Sequence, residues 1–455
     1  MAETPAAPDR DAIAAAIATP PAAPASGARE QGGFRDPAFT ANRNAPVHRW
    51  APWIAGYSKH FVEDALARHA TAPSVVLDPF AGVGATLVEA DLAGHEAIGF
   101  EINPYAAFAS RVKLQAHHAD ARALRCAIDD FEAFGRTVES AGVAPRSAPP
   151  SGFRTRTPFY SAKVLHKVLL ALDFIDTLAE PLVRDIFMLA FAATMVDYSN
   201  YSYEPSLGRK AAVGRPNVVD SPVFDTLAAK VRQMADDVEW HRATRAQPER
   251  PDGRLLVESF FDGYRNLPAG SVDLIVTSPP YLNNYHYNRN TRPHLYWLGF
   301  CTTPDELKRL EDLNFGAYWQ NARELDAVEL SPAVSAPPIQ EAIAAVRAKN
   351  PDRGIYGGNG WANYAARYFN DCGRFVEGMR WCLRKDGTAL VVVGNSILQG
   401  VSVPTDEFLA LIAKRNGLRV AAIHTPRDTR VGSSIVNSRV PGSGRLYESV
   451  VEIHA

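Results

Sequence analysis

Three short stretches of this sequence hold residues whose types and spacing could do chemistry. The first is Asp78-Pro79-Phe80-Ala81-Gly82-Val83-Gly84-Ala85-Thr86. Two glycines two apart let the backbone turn tightly and approach a ligand closely. A helix opening behind them offers free N–H groups. The acid ahead of the turn suits a ligand that carries an ammonium group. A pyrophosphate cradle would show a third glycine or a Lys-Ser/Thr pair, and neither is present. The second stretch is Glu101-Ile102-Asn103-Pro104, 23 residues after Asp78. An acid at about that distance past a glycine turn, at the end of the next strand, is placed to bind ribose hydroxyls. Capping of the helix at Pro104 by Asn103 is compatible with that role. The third is Thr277-Ser278-Pro279-Pro280-Tyr281. Two prolines fix the backbone, so the Ser278 side chain and the Pro279 carbonyl become rigid acceptors beside an aromatic ring. Such a set can hold a planar amine, with two hydrogen bonds to its NH2 group and the ring stacked. Each stretch has a plainer reading: a structural turn, a helix cap, a proline-rich loop.

Their positions argue for the chemistry. Val75–Leu77 is a short β run ending on Asp78, Thr86–Ala93 is helical, Ala97–Phe100 is a strand ending at Glu101, and a long helix starts at Pro104. This β-α-β-α order begins a doubly wound parallel sheet, where ligands bind beyond the strand carboxyl ends. Ser58–Ala70 reads as a helix capped by Ser58. The alternation then stops. Residues 117–251 show apolar residues at helical spacing in Tyr160–Leu178, Pro181–Met195 and Pro222–His241, with Ser199–Asn217 between them as a loop. It resumes at Leu255–Val257 and Val272–Val276, the latter running into the third stretch. A helix at Trp361–Leu383, a strand at Thr388–Val393, a helix at Pro404–Arg415 and an antiparallel pair, Leu418–Ile423 with Glu448–His454, complete the expectation.

Composition narrows the class. The chain has 455 residues, 46% hydrophobic and 22% charged, which is ordinary globular usage. Four scattered cysteines without a CxxC pair exclude a disulfide scaffold and a cysteine zinc site, and point to a cytoplasmic home. The twelve histidines show no metal-ligand spacing, so no metal is expected, and His48 and His286 are expected to pack or position. No apolar run reaches the roughly 20 residues of a membrane span. Residues 1–33, rich in Ala and Pro, are expected to be a disordered tail.

The three stretches, in this order and at strand ends, resemble the amino-methylating DNA methyltransferases that act on adenine N6 or cytosine N4. DPFAGVGATLVEA is similar to that family's glycine motif for S-adenosylmethionine, EINP to its ribose-binding acid, and SVDLIVTSPPYLNNYHY to its catalytic motif. HRWAPWIAGYSKHFVEDAL resembles the helix before its first strand. The resemblance implies an α/β fold: a Rossmann-like class I methyltransferase sheet, mostly parallel with an antiparallel final strand. Residues 34–116 and 252–455 would form the catalytic domain, and 117–251 a mainly helical insertion suited to target recognition. It implies S-adenosylmethionine as cofactor, held by Asp78, Phe80, Gly82, Gly84 and Thr86. Glu101, with Asn103, would stand at the ribose, and Tyr57 and Ser58 at the methionine end. Near the adenine amine, where the family places an acid after the third strand, this sequence has Ser259, with Glu258 before it and Asp262 after. Ser278, Pro279, Pro280 and Tyr281 would be the catalytic loop, with Asn283, Asn284 and Tyr285 shaping the pocket. Serine at the first catalytic position favours cytosine N4. An RNA base-amine methyltransferase and a non-catalytic DNA-binding subunit are the alternatives.

With a net charge of −2, any basic footprint for double-stranded DNA must be local. Pro426–Arg445, with Arg427, Arg430 and Arg439, and Ser206–Pro216, with Arg209, Lys210 and Arg215, are loops suited to phosphate contacts. A cognate restriction endonuclease would be a functional partner.

Overall fold

The computed structural model describes residues 34–429 and 446–455, apart from 52, 54, 55, 71, 72, 204–206, 283–286 and 317, with backbone alone for 426–429. The 1–33 tail, Asn283–Tyr285, His286, Arg430 and Arg439 lie outside the described residues, as does the side chain of Arg427.

Seven strands form the sheet: β1 (Val75–Asp78), β2 (Glu96–Phe100), β3 (Arg254–Leu256), β4 (Val272–Thr277), β5 (Leu383–Gly394), β6 (Arg419–Thr429) and β7 (Leu446–His454). Their order is β3-β2-β1-β4-β5-β7-β6. Every pair is parallel except those of β7, which runs antiparallel to both β5 and β6. This is a Rossmann-like, doubly wound sheet, mostly parallel with one antiparallel strand near its end. The central strands read as continuous apolar runs because helices cover both faces. Leu274, Val276, Leu390 and Val392 join one core, while Leu77, Ile275, Val391 and Val393 join the other.

On the first face lie α1 (Lys59–His69), α2 (Ala85–Leu92) and α3 (Pro104–Leu114). Ser58 caps α1 by accepting the Phe61 amide. Asn103 caps α3 by accepting the Tyr105 and Ala106 amides, with Pro104 in the first turn, where its missing N–H costs nothing. The insertion adds α4 (Ala121–Ala141), α5 (Ala162–Asp176), α6 (Pro181–Thr194) and α7 (Val223–Thr244) to this same core. Phe131 of α4 is its centre, with ring centroids 5.1 to 5.7 Å from Phe174, Phe187 and Phe224.

One expectation is corrected here. The Ser199–Asn217 loop contains a two-stranded hairpin, Tyr201–Tyr203 paired with Leu207–Arg209. Three-residue strands are too short to show alternation. Between β4 and β5 come α8 (Tyr287–Trp297), α9 (Pro304–Asp312), α10 (Pro337–Arg347) and α11 (Gly358–Cys382), and α12 (Thr405–Arg415) precedes β6. The buried side of α11 supplies the second core with Phe369, Phe375 and Met379. Among the described residues, no helix is long and apolar enough to cross a membrane.

Candidate active site

The turn after β1 is forced by its glycines. Gly82 has φ +52° and Gly84 φ +81°, the left-handed region that side chains resist. A Cβ on Gly84 would also lie 2.3 Å from Ser110 Oγ of α3. The turn therefore sits tightly on its neighbour. The Gly82 amide donates to Glu101 Oε2 at 2.7 Å, and the Asn103 amide donates to Glu101 Oε1 at 2.7 Å. Burial pushes the Glu101 carboxyl up to about 7, against the pull of those two amides.

These groups open on one cleft, about 700 Å³ of empty space that includes open solvent. The structure brings Phe80, Gly82, Glu101, Asn103 and Ser259 to its wall together with Ser278 and Pro280. The ends of β1, β2, β3 and β4 thus meet at one place. Ser259 caps a one-turn helix, accepting the Phe261 amide at 3.3 Å. Glu258 lines the cleft and the exposed Asp262 does not.

Tyr57, Asp78 and Thr86 are not part of the wall. They form a buried network instead. Tyr57 Oη donates to Asp78 Oδ2 at 2.6 Å, Thr277 Oγ1 donates to Asp78 Oδ1 at 2.7 Å, and the Phe80 amide donates to the same oxygen at 3.0 Å. The Thr86 hydroxyl meets Tyr57 Oη and the Val276 carbonyl. Burial raises the Asp78 carboxyl while these donors oppose it. The network ties the glycine turn to the end of β4, just before the Ser278–Tyr281 stretch. Ser58, Gly84, Pro279 and Tyr281 also stand outside the lining. Ser58 Oγ donates to the Asp36 carbonyl at 2.8 Å. Tyr281 Oη donates to Glu448 Oε1 of β7 at 3.1 Å, and Ser278 Oγ lies 3.5 Å from that hydroxyl. Burial holds the Tyr281 phenol well above its usual range, so it stays a donor. Its ring abuts Gly394, where a Cβ would lie 3.1 Å from two ring carbons.

Several wall residues escape a reading of the sequence: Trp53, Phe261, Tyr287, Asn288 and Phe315. Phe315 meets Phe80 edge-on at 5.6 Å and Phe261 at 5.7 Å. Trp53 could be found from the aromatic run Trp50–Trp53, but Phe315 lies in a segment without periodicity. The Trp53 end of the cleft is fastened by the insertion. Asp237 of α7, 2% exposed, accepts from the Val47 amide at 2.9 Å, Arg49 Nε at 3.0 Å and Trp50 Nε1 at 2.8 Å. His48 is packed there too, with Nε2 2.7 Å from Glu89 Oε1.

Two groups that histidine spacing does not announce bring ligand atoms within 4.8 Å of one another: Asp91, His117 and His241, and His117, His118 and Asp252. Arg245 stands among them. Its Nε and Nη2 donate to Asp91 at 2.9 and 3.0 Å, and Nη1 lies 3.1 Å from His117 Nε2. The guanidinium already supplies positive charge there, so the group reads as an ion-pair hub that fastens the end of α7 to α2.

The cleft fits S-adenosylmethionine. Glu101 offers acceptors to a ribose diol, the glycine turn admits close approach, and Phe80, Phe261 and Phe315 give an apolar seat for an adenine ring. Comparison with known proteins agrees. No protein-family model matches the chain. The Type II methyltransferase M.BsoBI of Geobacillus stearothermophilus is 21% identical over 438 residues, covering 87% of this chain and 83% of that protein. The Type II methyltransferase M.MvaI of Kocuria varians is 22% identical over 406 residues, 83% of each. A third, M.MjaII of Methanocaldococcus jannaschii, is 36% identical over 73 residues, 16% of this chain and 14% of that protein. Along most of its length the chain is thus similar to Type II methyltransferases.

Proposed function

We propose that the chain transfers a methyl group from S-adenosylmethionine to an exocyclic amine of a base in double-stranded DNA, N4 of cytosine in preference to N6 of adenine. The observation that carries this reading is the shared cleft: Ser278 and Pro280 line the same cavity as Gly82 and Glu101. The lone pair of an exocyclic amine is delocalised into its ring. The Ser278 hydroxyl and the Pro279 carbonyl can each accept one of the amine N–H groups, which favours a pyramidal nitrogen and frees the lone pair. S-adenosylmethionine supplies an electrophilic methyl group on a sulfonium that is its own leaving group. The protein's task is then positioning. The Tyr57–Asp78–Thr277 bonds hold the catalytic loop against the glycine turn. Tyr281, fixed by Glu448 and Gly394, offers a face on which a flipped base stacks, worth roughly 1–3 kcal/mol. Serine at position 278, where the adenine-directed enzymes that the sequence resembles more often have an acid or amide, supports cytosine.

The 201–209 hairpin supports DNA contact by the insertion. The Tyr203 hydroxyl donates to the Asn290 carbonyl at 3.0 Å, and the Leu207 amide donates to Asn290 Oδ1 at 2.9 Å. That seats Arg209 on α8, the helix that follows the catalytic loop. Lys210 spends its ammonium on the Asp197 carbonyl at 2.9 Å; Arg209 and Arg215 are the further basic groups of this arm. Arg427, whose backbone lies in β6, and Arg430 and Arg439, which follow it in the sequence, are the second basic set proposed for DNA. A cytoplasmic restriction endonuclease of the same site specificity is the proposed functional partner.

Nucleoside mass spectrometry tests the reading. The chain is incubated with S-adenosylmethionine and mixed-sequence double-stranded DNA, with RNA in parallel. N4-methylcytosine is the expected product. N6-methyladenine would overturn the base assignment, and methylation confined to RNA would overturn the substrate.

A further inference from the structure

Asn288 lines the cleft, and among the described residues its buried side-chain amide is a donor without an acceptor. Asn288 is 1% exposed, and among the described residues its Nδ2 has no hydrogen-bond partner. A buried donor left unmet costs about 1–3 kcal/mol. Such a group in a cavity wall marks where a ligand acceptor arrives.

The orientation of this amide is determined by backbone, not by choice of flip. Asn103 Oδ1 accepts from the Tyr105 and Ala106 amides at 3.1 and 3.2 Å. Backbone N–H groups can only donate, so that atom is the oxygen, and Asn103 Nδ2 must face the other way. There it donates to Asn288 Oδ1 at 3.1 Å and to Thr291 Oγ1 at 2.8 Å. Asn288 therefore turns its oxygen to Asn103 and its NH2 elsewhere. The helix cap of α3 sets the polarity of a residue 185 positions away.

What the NH2 would meet follows from its neighbours. Asn103, Asn288 and Glu101 line the same cleft. The Asn103 amide is bound to Glu101 Oε1, so the acid and the two asparagines share the end of β2. When ionised, Glu101 presents acceptors alone. A hydroxyl both donates and accepts, so one hydroxyl, or two on adjacent carbons, can satisfy a carboxylate and an amide together. We propose that Asn288 is a cofactor-binding residue whose side-chain amide donates to a ribose hydroxyl oxygen of the nucleoside held by Glu101. The proposal rests on the methyltransferase reading, because it needs a nucleoside cofactor in this cleft. It gives the ribose a donor on α8, the helix that follows the catalytic loop, and so links cofactor occupancy to the position of that helix.

The test is equilibrium calorimetry without DNA, using S-adenosylhomocysteine and its 2′-deoxy and 3′-deoxy analogues. Asn288→Asp keeps an oxygen for Asn103 Nδ2 and removes the donor. Asn288→Ala is read in parallel, in case the new charge near Glu101 disturbs folding. Wild type is expected to lose about tenfold in affinity when the contacted hydroxyl is removed. Each variant is expected to bind S-adenosylhomocysteine about tenfold more weakly than wild type and to be indifferent to that same deletion. Variants that bind as wild type does, or that lose as much as wild type on both deoxy analogues, overturn the proposal. Wild type that binds none of the three ligands overturns the methyltransferase reading and this inference with it.

Discussion

Glu101 accepts the amide of Gly82 at 2.7 Å, so the acid that ends β2 is held by the glycine turn that ends β1. The two motifs stand 19 residues apart in the chain and act as one object. Burial raises this carboxyl to about 7 from an ordinary 4.5. Between those values the folded chain binds more protons than the unfolded one, so the contribution of Glu101 to stability falls as pH rises through that window.

The same shift predicts how cofactor affinity responds to pH. An ionised carboxylate accepts from a ribose diol better than a neutral acid does. Affinity for S-adenosylmethionine should therefore rise with pH, by up to about tenfold per unit below 7, and level off above it. Glu101→Gln keeps the shape and removes the titration. Calorimetry from pH 5.5 to 8.5 should show the rise in wild type and a weak, flat profile in the variant. A wild-type profile without an inflection near 7 would remove the ribose role from Glu101.

The catalytic loop makes a prediction that separates ring from hydroxyl. In the proposed mechanism Ser278 provides an acceptor for the amine, while Tyr281 provides a face. Ser278→Ala should lower kcat by about a hundredfold or more, with cofactor affinity within twofold of wild type. Tyr281→Phe loses the bond to Glu448 and the 3.5 Å contact from Ser278 Oγ but keeps the ring, and should retain most of the activity. Tyr281→Ala loses the stacking face and should lose activity comparable to Ser278→Ala. Steady-state kinetics on methylated DNA product decide it. Tyr281→Phe as damaging as Tyr281→Ala would mean that the hydroxyl, not the ring, is what the reaction needs.

The parts of the fold that are legible in sequence share a local cause. β1 and β4 carry apolar runs, Val75–Leu77 and Leu274–Val276, because both their faces are covered, and the glycines are demanded by positive φ at 82 and 84. Ser58 and Asn103 announce their helices because a cap is a contact with the next turn. The rest depends on partners far away in the chain. Phe315 becomes a wall of the cleft only because Phe80 and Tyr368 hold it, the latter at 5.1 Å. Asp237 reaches Trp50 across 187 residues. The insertion, read as a candidate recognition element, also steadies the segment that carries Trp53 and Tyr57. Its hairpin was hidden by length, since three residues cannot establish a period of two.

That hairpin carries the last prediction. Arg209 ends its second strand, and Arg215 follows the short 3₁₀ turn Lys210–Val213. If the arm lies along DNA, each arginine neutralises a phosphate and releases its counterion. Replacing both by alanine should weaken DNA binding and reduce the slope of log affinity against log salt by about 2. Affinity for S-adenosylmethionine should not change, because neither residue lines the cofactor cleft. Lys210→Gln is the internal comparison: its ammonium is engaged by the Asp197 carbonyl, and burial lowers its basicity. It should shift the slope by less than either arginine does. Fluorescence anisotropy across a salt series measures all three. A double variant with an unchanged slope would mean that the hairpin is a brace for α8 and that the phosphate contacts lie elsewhere, with the 430–445 arginines the next to be replaced.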